Sequence, residues 1–120
     1  MRGLALSLVL AAVAAPALAD GERIFTQRCK ICHAAQAGAG NKTGPNLLGV
    51  FGRAAGAVEG FRYSPAHRDS GLVWDAKTLD AYLEDPQGVV PGSNKRLKGM
   101  ADESDRAALI GFIESLNQPE

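Results

Sequence analysis

The sequence has no excess of charge of either sign. Its 120 residues include 13 lysines and arginines and 13 aspartates and glutamates, so the formal net charge is zero. Proteins that bind nucleic acid or anionic membranes carry a basic excess, and neither partner is expected here. The sequence also has no nucleophile, paired carboxylates or general base at a spacing that indicates an active site. We therefore predict a protein that is not an enzyme.

Long hydrophobic runs are absent beyond the first twenty residues. Residues 4–15 are small and apolar, follow Arg2 and precede an A-x-A motif at residues 17–19, which is typical of a cleaved export signal. This run is shorter than the roughly 20 residues that span a bilayer. We predict a signal peptide over residues 1–19 and a mature domain over residues 20–120. The mature protein is expected to be soluble and periplasmic, with no membrane anchor after cleavage.

Sustained alternation of polar and apolar residues is missing, so no β-sheet is expected. Three segments have helical spacing instead: residues 20–33, residues 75–85, and a last helix from Asp102 or Ser104 to about Asn117. Asp75 can cap the second helix, and Pro86 stops it. The long loop between the first two helices contains eight glycines, and such a loop counts against a plain helical bundle. The prediction is one all-α domain whose glycine-rich loops wrap something that is not protein.

Cysteine is nearly absent, and both cysteines stand in the motif CKICH at residues 29–33. A thioredoxin-like dithiol needs a βαβ unit, and the sequence predicts no β-strands. A zinc site needs about four ligands, and only His67 is an obvious further candidate. A structural disulfide is possible in an exported chain, but it leaves His33 unexplained. Attachment of c-type haem uses Cys29 and Cys32 for the two thioethers and His33 for the iron, so we predict one covalent haem c.

Further motifs surround CKICH, and together they make the sequence resemble the class I c-type cytochromes, the branch of mitochondrial cytochrome c and bacterial cytochrome c2. The shared segments are GERIFTQRCKICH, KTGPNLLGVFGRAAG, GFRYS, GLVW, LDAYLEDP, VVPG and RAALIGFIESL. Matched to the mitochondrial pattern, the sequence runs without an insertion or deletion from residue 21 to about residue 116. The resemblance implies the small cytochrome c fold, with three main helices and long loops around one haem. It also implies that Gly21 and Phe25 pack against Leu109 and Phe112 where the end helices cross.

The resemblance further implies how individual residues hold the haem. The Pro45 carbonyl would accept a hydrogen bond from Nδ1–H of His33 and fix the tautomer of this proximal ligand. Arg53 and Trp74 would hydrogen-bond the inner haem propionate. The remaining cofactor-binding residues are Tyr63 and Ser64 beside the propionates and Tyr82 beside the sixth coordination position.

The segment that closes the other face of the iron departs from the family. Where the family places its axial methionine after the Pro91-Gly92 turn, this chain has Lys95. The only methionine of the predicted mature chain, Met100, lies five positions later. A neutral lysine amine can ligate iron, because the free energy of metal binding can offset the cost of removing the proton from the ammonium group. Lys95 is the favoured distal ligand, and the alternatives are Met100 in a re-formed loop or a site left to water or an exogenous ligand.

The expected function is single-electron transfer, which the chain would perform as a monomer. Redox partners such as a membrane oxidoreductase, an oxidase or a periplasmic dehydrogenase would dock at the exposed haem edge. The basic residues expected around that edge are Arg28, Lys30, Lys42, Arg96 and Lys98. An amine ligand would lower the reduction potential relative to a thioether. His67 stands where the family tends to have asparagine, and it could make the potential pH-dependent if it lies near the haem.

The missing methionine also supports a different function. A haem protein with an open or labile sixth position would bind or activate a small ligand such as peroxide, nitric oxide or carbon monoxide. It would then show weak peroxidatic activity. Rapid binding of carbon monoxide to the reduced protein would distinguish this alternative from an electron carrier.

Overall fold

The computed structural model describes residues 3–5, 14–93 and 97–117. Within these ranges the chain forms five helices: α1 (Ala14–Arg28), α2 (Pro65–Arg68), α3 (Ala76–Glu84), α4 (Pro86–Val89) and α5 (Glu103–Ser115). The same ranges contain no β-strand, and their one β-type contact is an isolated antiparallel bridge between Ala54 and Val73. The predicted all-α fold is confirmed. None of the described helices is both long enough and apolar enough to span a membrane.

Helix α1 differs at both ends from the predicted helix over residues 20–33. The described helix already includes residues 14–19, most of which are alanine, the residue with the highest helix propensity. It ends at Arg28, because the N–H groups of Cys29 and Lys30 both donate to the carbonyl of Phe25, at 2.8 and 2.9 Å. The following residues form tight turns in which the Cys29 carbonyl accepts two further backbone N–H groups. The CKICH motif therefore follows the helix, and the prediction that it belongs to the helix was wrong.

Helices α3 and α5 begin directly after Asp75 and Asp102, the capping residues that the sequence indicated. The Asp75 carboxylate accepts a hydrogen bond from the Thr78 N–H at 2.8 Å, and the Asp102 carboxylate does the same for Asp105 at 2.9 Å. Such caps satisfy N–H groups that have no partner inside the helix. Asp85 ends α3 and also caps α4, whose first residue is proline. The proline thus stops one helix and starts another, because its missing N–H and fixed φ suit a first helical position.

Helices α1 and α5 cross at closest approach beside Gly21. A β-carbon at this position would overlap the Ala108 carbonyl oxygen and the Phe112 β-carbon, so only glycine fits. The rings of Phe25 and Phe112 pack with their centroids 5.3 Å apart. Leu109 is fully buried in the same core. This crossing positions the C-terminal end of α1, and so the start of the CKICH motif, against the core.

A buried arginine joins α5 to α3 and to the chain that precedes α5. Arg106 Nε donates to Asp80 at 2.7 Å, and its Nη1 donates to the carbonyls of Met100 and Ala101 at 2.9 Å each. The Met100 N–H donates to the Leu83 carbonyl at 2.8 Å. These bonds hold residues 100 and 101 against α3.

Candidate cofactor site

A cavity of about 460 Å³ lies beside the CKICH motif. Its volume falls within the range of small-molecule and cofactor sites. Most of the lining is apolar and comes from separate parts of the chain: Leu47, Val50, Ala54, Val58, Phe61, Leu79, Leu83, Leu97 and Ile113. The structure also places eight of the residues predicted to hold haem on this lining: Cys29, Cys32, His33, Pro45, Tyr63, Ser64, Trp74 and Tyr82. The cavity therefore gathers residues that are far apart in sequence.

His33 is held in one orientation by the loop that follows the motif. Its Nδ1 lies 2.7 Å from the Pro45 carbonyl oxygen, which can only accept, so Nδ1 carries the proton and Nε2 keeps its lone pair. Burial lowers the pKa of His33, although the bond to Pro45 opposes this shift. Gly44 donates its N–H to the Cys32 carbonyl at 2.7 Å, and a β-carbon there would overlap the imidazole. The sequence analysis assigned Gly44 no role at this site, and its position directly before Pro45 is the only feature of the sequence that could have indicated one.

No disulfide joins the two cysteines, and Cys29 is buried while Cys32 is partly buried. Burial raises the pKa of the Cys29 thiol to about 11, with the neighbouring Arg28 charge opposing the shift. Cysteines that exchange disulfides have a lowered pKa, so this environment disfavours a redox dithiol. Among the described residues, no group of three or more His, Cys, Asp or Glu side chains is arranged to hold a metal ion. His67, the fourth candidate zinc ligand, lies among aromatic rings instead.

A haem attached to this motif fits the cavity. Both thiols lie on the lining beside an imidazole whose Nε2 is free to ligate iron. The apolar walls suit a porphyrin ring, and the polar residues Arg62, Tyr63 and Ser64 lie on the same lining. Arg62 was not predicted, although it stands inside the GFRYS segment.

The residues assigned to the propionates are placed unevenly. Trp74 is buried and lines the cavity, whereas Arg53 is not among the lining residues. The two are joined by a backbone hydrogen bond, in which the Trp74 N–H donates to the Arg53 carbonyl oxygen at 2.9 Å. The Tyr63 hydroxyl accepts the Val58 N–H at 3.1 Å, and Ser64 Oγ accepts the His67 N–H at 3.2 Å. Burial raises the pKa of Tyr63, and the nearby Arg53 charge is among the effects that oppose it. Both hydroxyls still have a proton to donate.

The side of the cavity near Tyr82 is organised by a polar residue that the sequence did not reveal. Ser93 is only 5% exposed, and it hydrogen-bonds the Tyr82 hydroxyl. Burial raises the pKa of Tyr82, and this hydrogen bond opposes the rise. Gln87 Nε2 donates to the Ser93 carbonyl at 3.0 Å. The network fixes the chain immediately before the segment in which the distal ligand was predicted.

The two candidate distal ligands differ in what the structure describes. Lys95 lies outside the described residues, but Ser93 and Leu97 on either side of it both line the cavity. Met100 is 4% exposed, packs in the apolar core and is not part of the cavity lining.

Comparison with known proteins agrees with this geometry. The family model described as Cytochrome c matches residues 18–117. The chain belongs to the cytochrome c family. Cytochrome c2 of Blastochloris viridis is 43% identical over 122 residues, which cover 98% of this chain and 95% of that protein. Cytochrome c2 iso-2 of Magnetospirillum fulvum is 48% identical over 88 residues, covering 73% of this chain and 91% of that protein.

A third relative, cytochrome c of Stellaria longipes, is 44% identical over 94 residues, covering 78% of this chain and 87% of its own. The predicted resemblance to class I c-type cytochromes is confirmed. The cofactor of this cytochrome is one covalently bound haem c with its iron. The protein transfers electrons between redox partners and is not an enzyme.

Proposed function

We propose that this cytochrome is a soluble periplasmic single-electron carrier whose first 19 residues are a cleaved signal peptide. The alignment with the Blastochloris viridis cytochrome c2 covers 98% of this chain and so extends into the proposed leader, whereas the one with Stellaria longipes covers 78%. Cleavage after Ala19 would remove the first six residues of α1. Asp20 and Glu22 would then lie in the first helical turn, where carboxylates favour the helix dipole.

The observation that supports the carrier most directly is the cavity shared by both thiols and the oriented imidazole. Haem c supplies reversible one-electron exchange at its iron. Cys29 and Cys32 would retain the group through thioethers, and His33 would be its proximal ligand. The apolar lining would exclude water from the ring. Arg53 and Trp74 would hydrogen-bond the inner propionate, and Tyr63 and Ser64 would help neutralise the propionates.

Lys95 is our assignment for the distal ligand, with Tyr82 beside it. The alternative, Met100, is tied down by the hydrogen bonds from its N–H to Leu83 and from Arg106 to its carbonyl. Moving Met100 to the cavity would break both bonds, at a cost of about 1 kcal/mol for a neutral bond and about 1.5–3 kcal/mol for one to a charged group. In the sequence, Lys95 stands between Ser93 and Leu97, which both line the cavity.

Replacing Lys95 with methionine is expected to raise the midpoint potential by on the order of 100 mV, a fraction of the range that axial ligands span. A thioether favours the reduced iron more than an amine does. Redox titration measures the shift, and the near-infrared charge-transfer band of sulfur-bound ferric haem should appear only in the variant. Lys98→Met, at an exposed lysine nearby, is the matched control and should leave the potential unchanged. A wild-type protein that already shows the sulfur band would assign the site to Met100.

A second function, binding of peroxide, nitric oxide or carbon monoxide, is favoured by the absence of methionine at position 95. A carrier with a bound lysine should keep its reduced absorption spectrum when carbon monoxide is added, because the gas must first displace the ligand. Stopped-flow mixing of the dithionite-reduced protein with carbon monoxide measures this directly. Binding within the mixing time would support the ligand-binding function and contradict the carrier with a closed sixth position.

The redox partners would dock where the motif reaches the surface. Ile31 is 82% exposed between the two cysteines. Lys30 and Lys42 are exposed beside it, with Lys42 Nζ donating to the Lys30 carbonyl at 3.1 Å. Arg28 lines the cavity mouth and Lys98 is exposed, while Arg96 lies outside the described residues. An exposed apolar residue surrounded by basic side chains is suited to docking an acidic surface of a partner. The partner would be an oxidoreductase, an oxidase or a periplasmic dehydrogenase, and this protein would bind it as a monomer.

A further inference from the structure

His67 lies on the cavity lining inside a box of three aromatic rings. Its imidazole stacks on Tyr63 with centroids 5.3 Å apart and planes 11° apart. Trp74 is 5.7 Å away and tilted by 39°, and Tyr82 is 6.0 Å away and nearly perpendicular. Aromatic rings within about 6 Å stabilise a cation. The box therefore provides a place for an imidazolium that is next to the cofactor cavity.

The charged and titratable groups that face His67 are few. Tyr63 on the preceding loop and Tyr82 on α3 both have a pKa raised by burial, so both are neutral where histidine changes its charge. The positive groups nearby are Arg53 beside Tyr63 and Arg62 on the cavity lining. No aspartate or glutamate is among the described lining residues. Because no aspartate or glutamate of the described lining holds a permanent positive charge on the ring, the protonation of His67 depends on the charge inside the cavity, which includes the haem propionates.

His67 can exchange protons with solvent, and two opposing effects act on its charged form. It is partly exposed, so protons reach it from solvent. Burial lowers its pKa from the ordinary value, and the aromatic faces oppose that effect. Histidine is the side chain whose ordinary charge change falls between pH 5 and 8, so moderate changes in its surroundings alter its charge. A change of one unit of charge in the adjoining cavity is then sufficient to alter its protonation.

We propose that His67 takes up a proton when the protein is reduced. The oxidised protein with neutral His67 gains one electron from its redox partner and one proton from solvent, which gives the reduced protein with His67 as imidazolium. An added electron makes the cavity more negative and so favours a neighbouring cation. By linkage the cation favours reduction, and the midpoint potential falls as rising pH removes that proton. This inference rests on the proposed electron carrier.

The test is done on the haem-loaded protein in two ways. The His67 ring proton signals are titrated by NMR in the oxidised and the reduced protein, and the midpoint potential is measured across pH 5–8. We expect the reduced form to bind the proton at least threefold more tightly, which corresponds to a fall of about 30 mV for a one-electron couple. His67→Asn should abolish the fall. Arg68→Gln removes an exposed charge from the same helix α2 and should leave the fall in place.

Two results would overturn the inference. One is an equal pKa of His67 in both oxidation states of the unaltered protein, which needs no variant to fold. The other is a fall in potential that persists in His67→Asn, because the fall would then belong to the haem carboxylates. The proposed carrier fails separately, if the protein lacks covalent pigment or a reversible one-electron couple.

Discussion

A chain in which Cys29 and Cys32 are both alanine is expected to lose its pigment completely in acidified organic solvent. Both thiols lie on the cavity lining beside His33, and thioethers formed by them would be the only covalent links to the haem. An axial bond from His33 alone is broken by acid, because the imidazole becomes protonated. The double variant is therefore expected to bind haem reversibly at best.

The same variant is expected to be unfolded or molten when haem is absent. An unfilled cavity costs about 24 cal/mol per Å³ in a protein core, and the space here is about 460 Å³. The product is comparable with the whole stability of a small domain, about 5–15 kcal/mol. A chain that cannot retain haem must collapse this space or fill it with water, and both weaken the core around Cys29. Loss of near-ultraviolet circular dichroism with retained helical signal would report the molten state.

Ile31→Ala is the matched control for the cysteine variant. Ile31 stands between the two cysteines, but its side chain is 82% exposed. A substitution at such a position changes stability by less than about 0.5 kcal/mol, and it leaves both thiols in place. The control should be red and as stable as the parent. A double-alanine protein that keeps its colour in acidified solvent would show that the haem is attached elsewhere.

The helix starts were predictable because their signals are local. A carboxylate at the cap reaches an N–H three residues ahead, so Asp75 and Asp102 could be identified without knowing the tertiary structure. The end of α1 could not be predicted in this way, because it is marked only by backbone hydrogen bonds to the Phe25 carbonyl. Ile31 and Cys32 continue the helical spacing, yet Ile31 points to solvent. Spacing alone does not distinguish a helix from a series of turns.

The cavity itself was predictable only through the resemblance to a family. Composition and periodicity indicated that the loop wraps something that is not protein, but not which distant residues would meet around it. Gly44, Ser93 and Arg106 escaped prediction for the same reason. Each acts through a contact between segments: a close approach to the imidazole, a hydrogen bond to Tyr82, and a bond to Asp80. Such contacts leave no pattern along the sequence.

Replacing Gly21 with alanine is expected to lower the free energy of unfolding by about 2 kcal/mol, within the usual cost of overpacking. The added β-carbon would overlap the Ala108 carbonyl oxygen and Phe112, so α1 and α5 would have to separate. Helix propensity acts in the opposite direction, because alanine is favoured over glycine by at most about 1 kcal/mol in a helix interior. The sign of the change therefore reports whether the helices cross closely at this residue.

Gly111→Ala provides the matched control, because it makes the same substitution inside α5. A β-carbon at Gly111 meets nothing within 4 Å beyond its own helix and chain neighbours. This variant should gain about 0.5–1 kcal/mol from helix propensity alone. Denaturant unfolding of the haem-loaded proteins, followed by far-ultraviolet circular dichroism, measures both changes. If both variants were stabilised alike, the close crossing would be excluded. Because α1 leads directly into Cys29 and α5 contributes Ile113 to the cavity lining, a forced separation at Gly21 should also loosen the haem site.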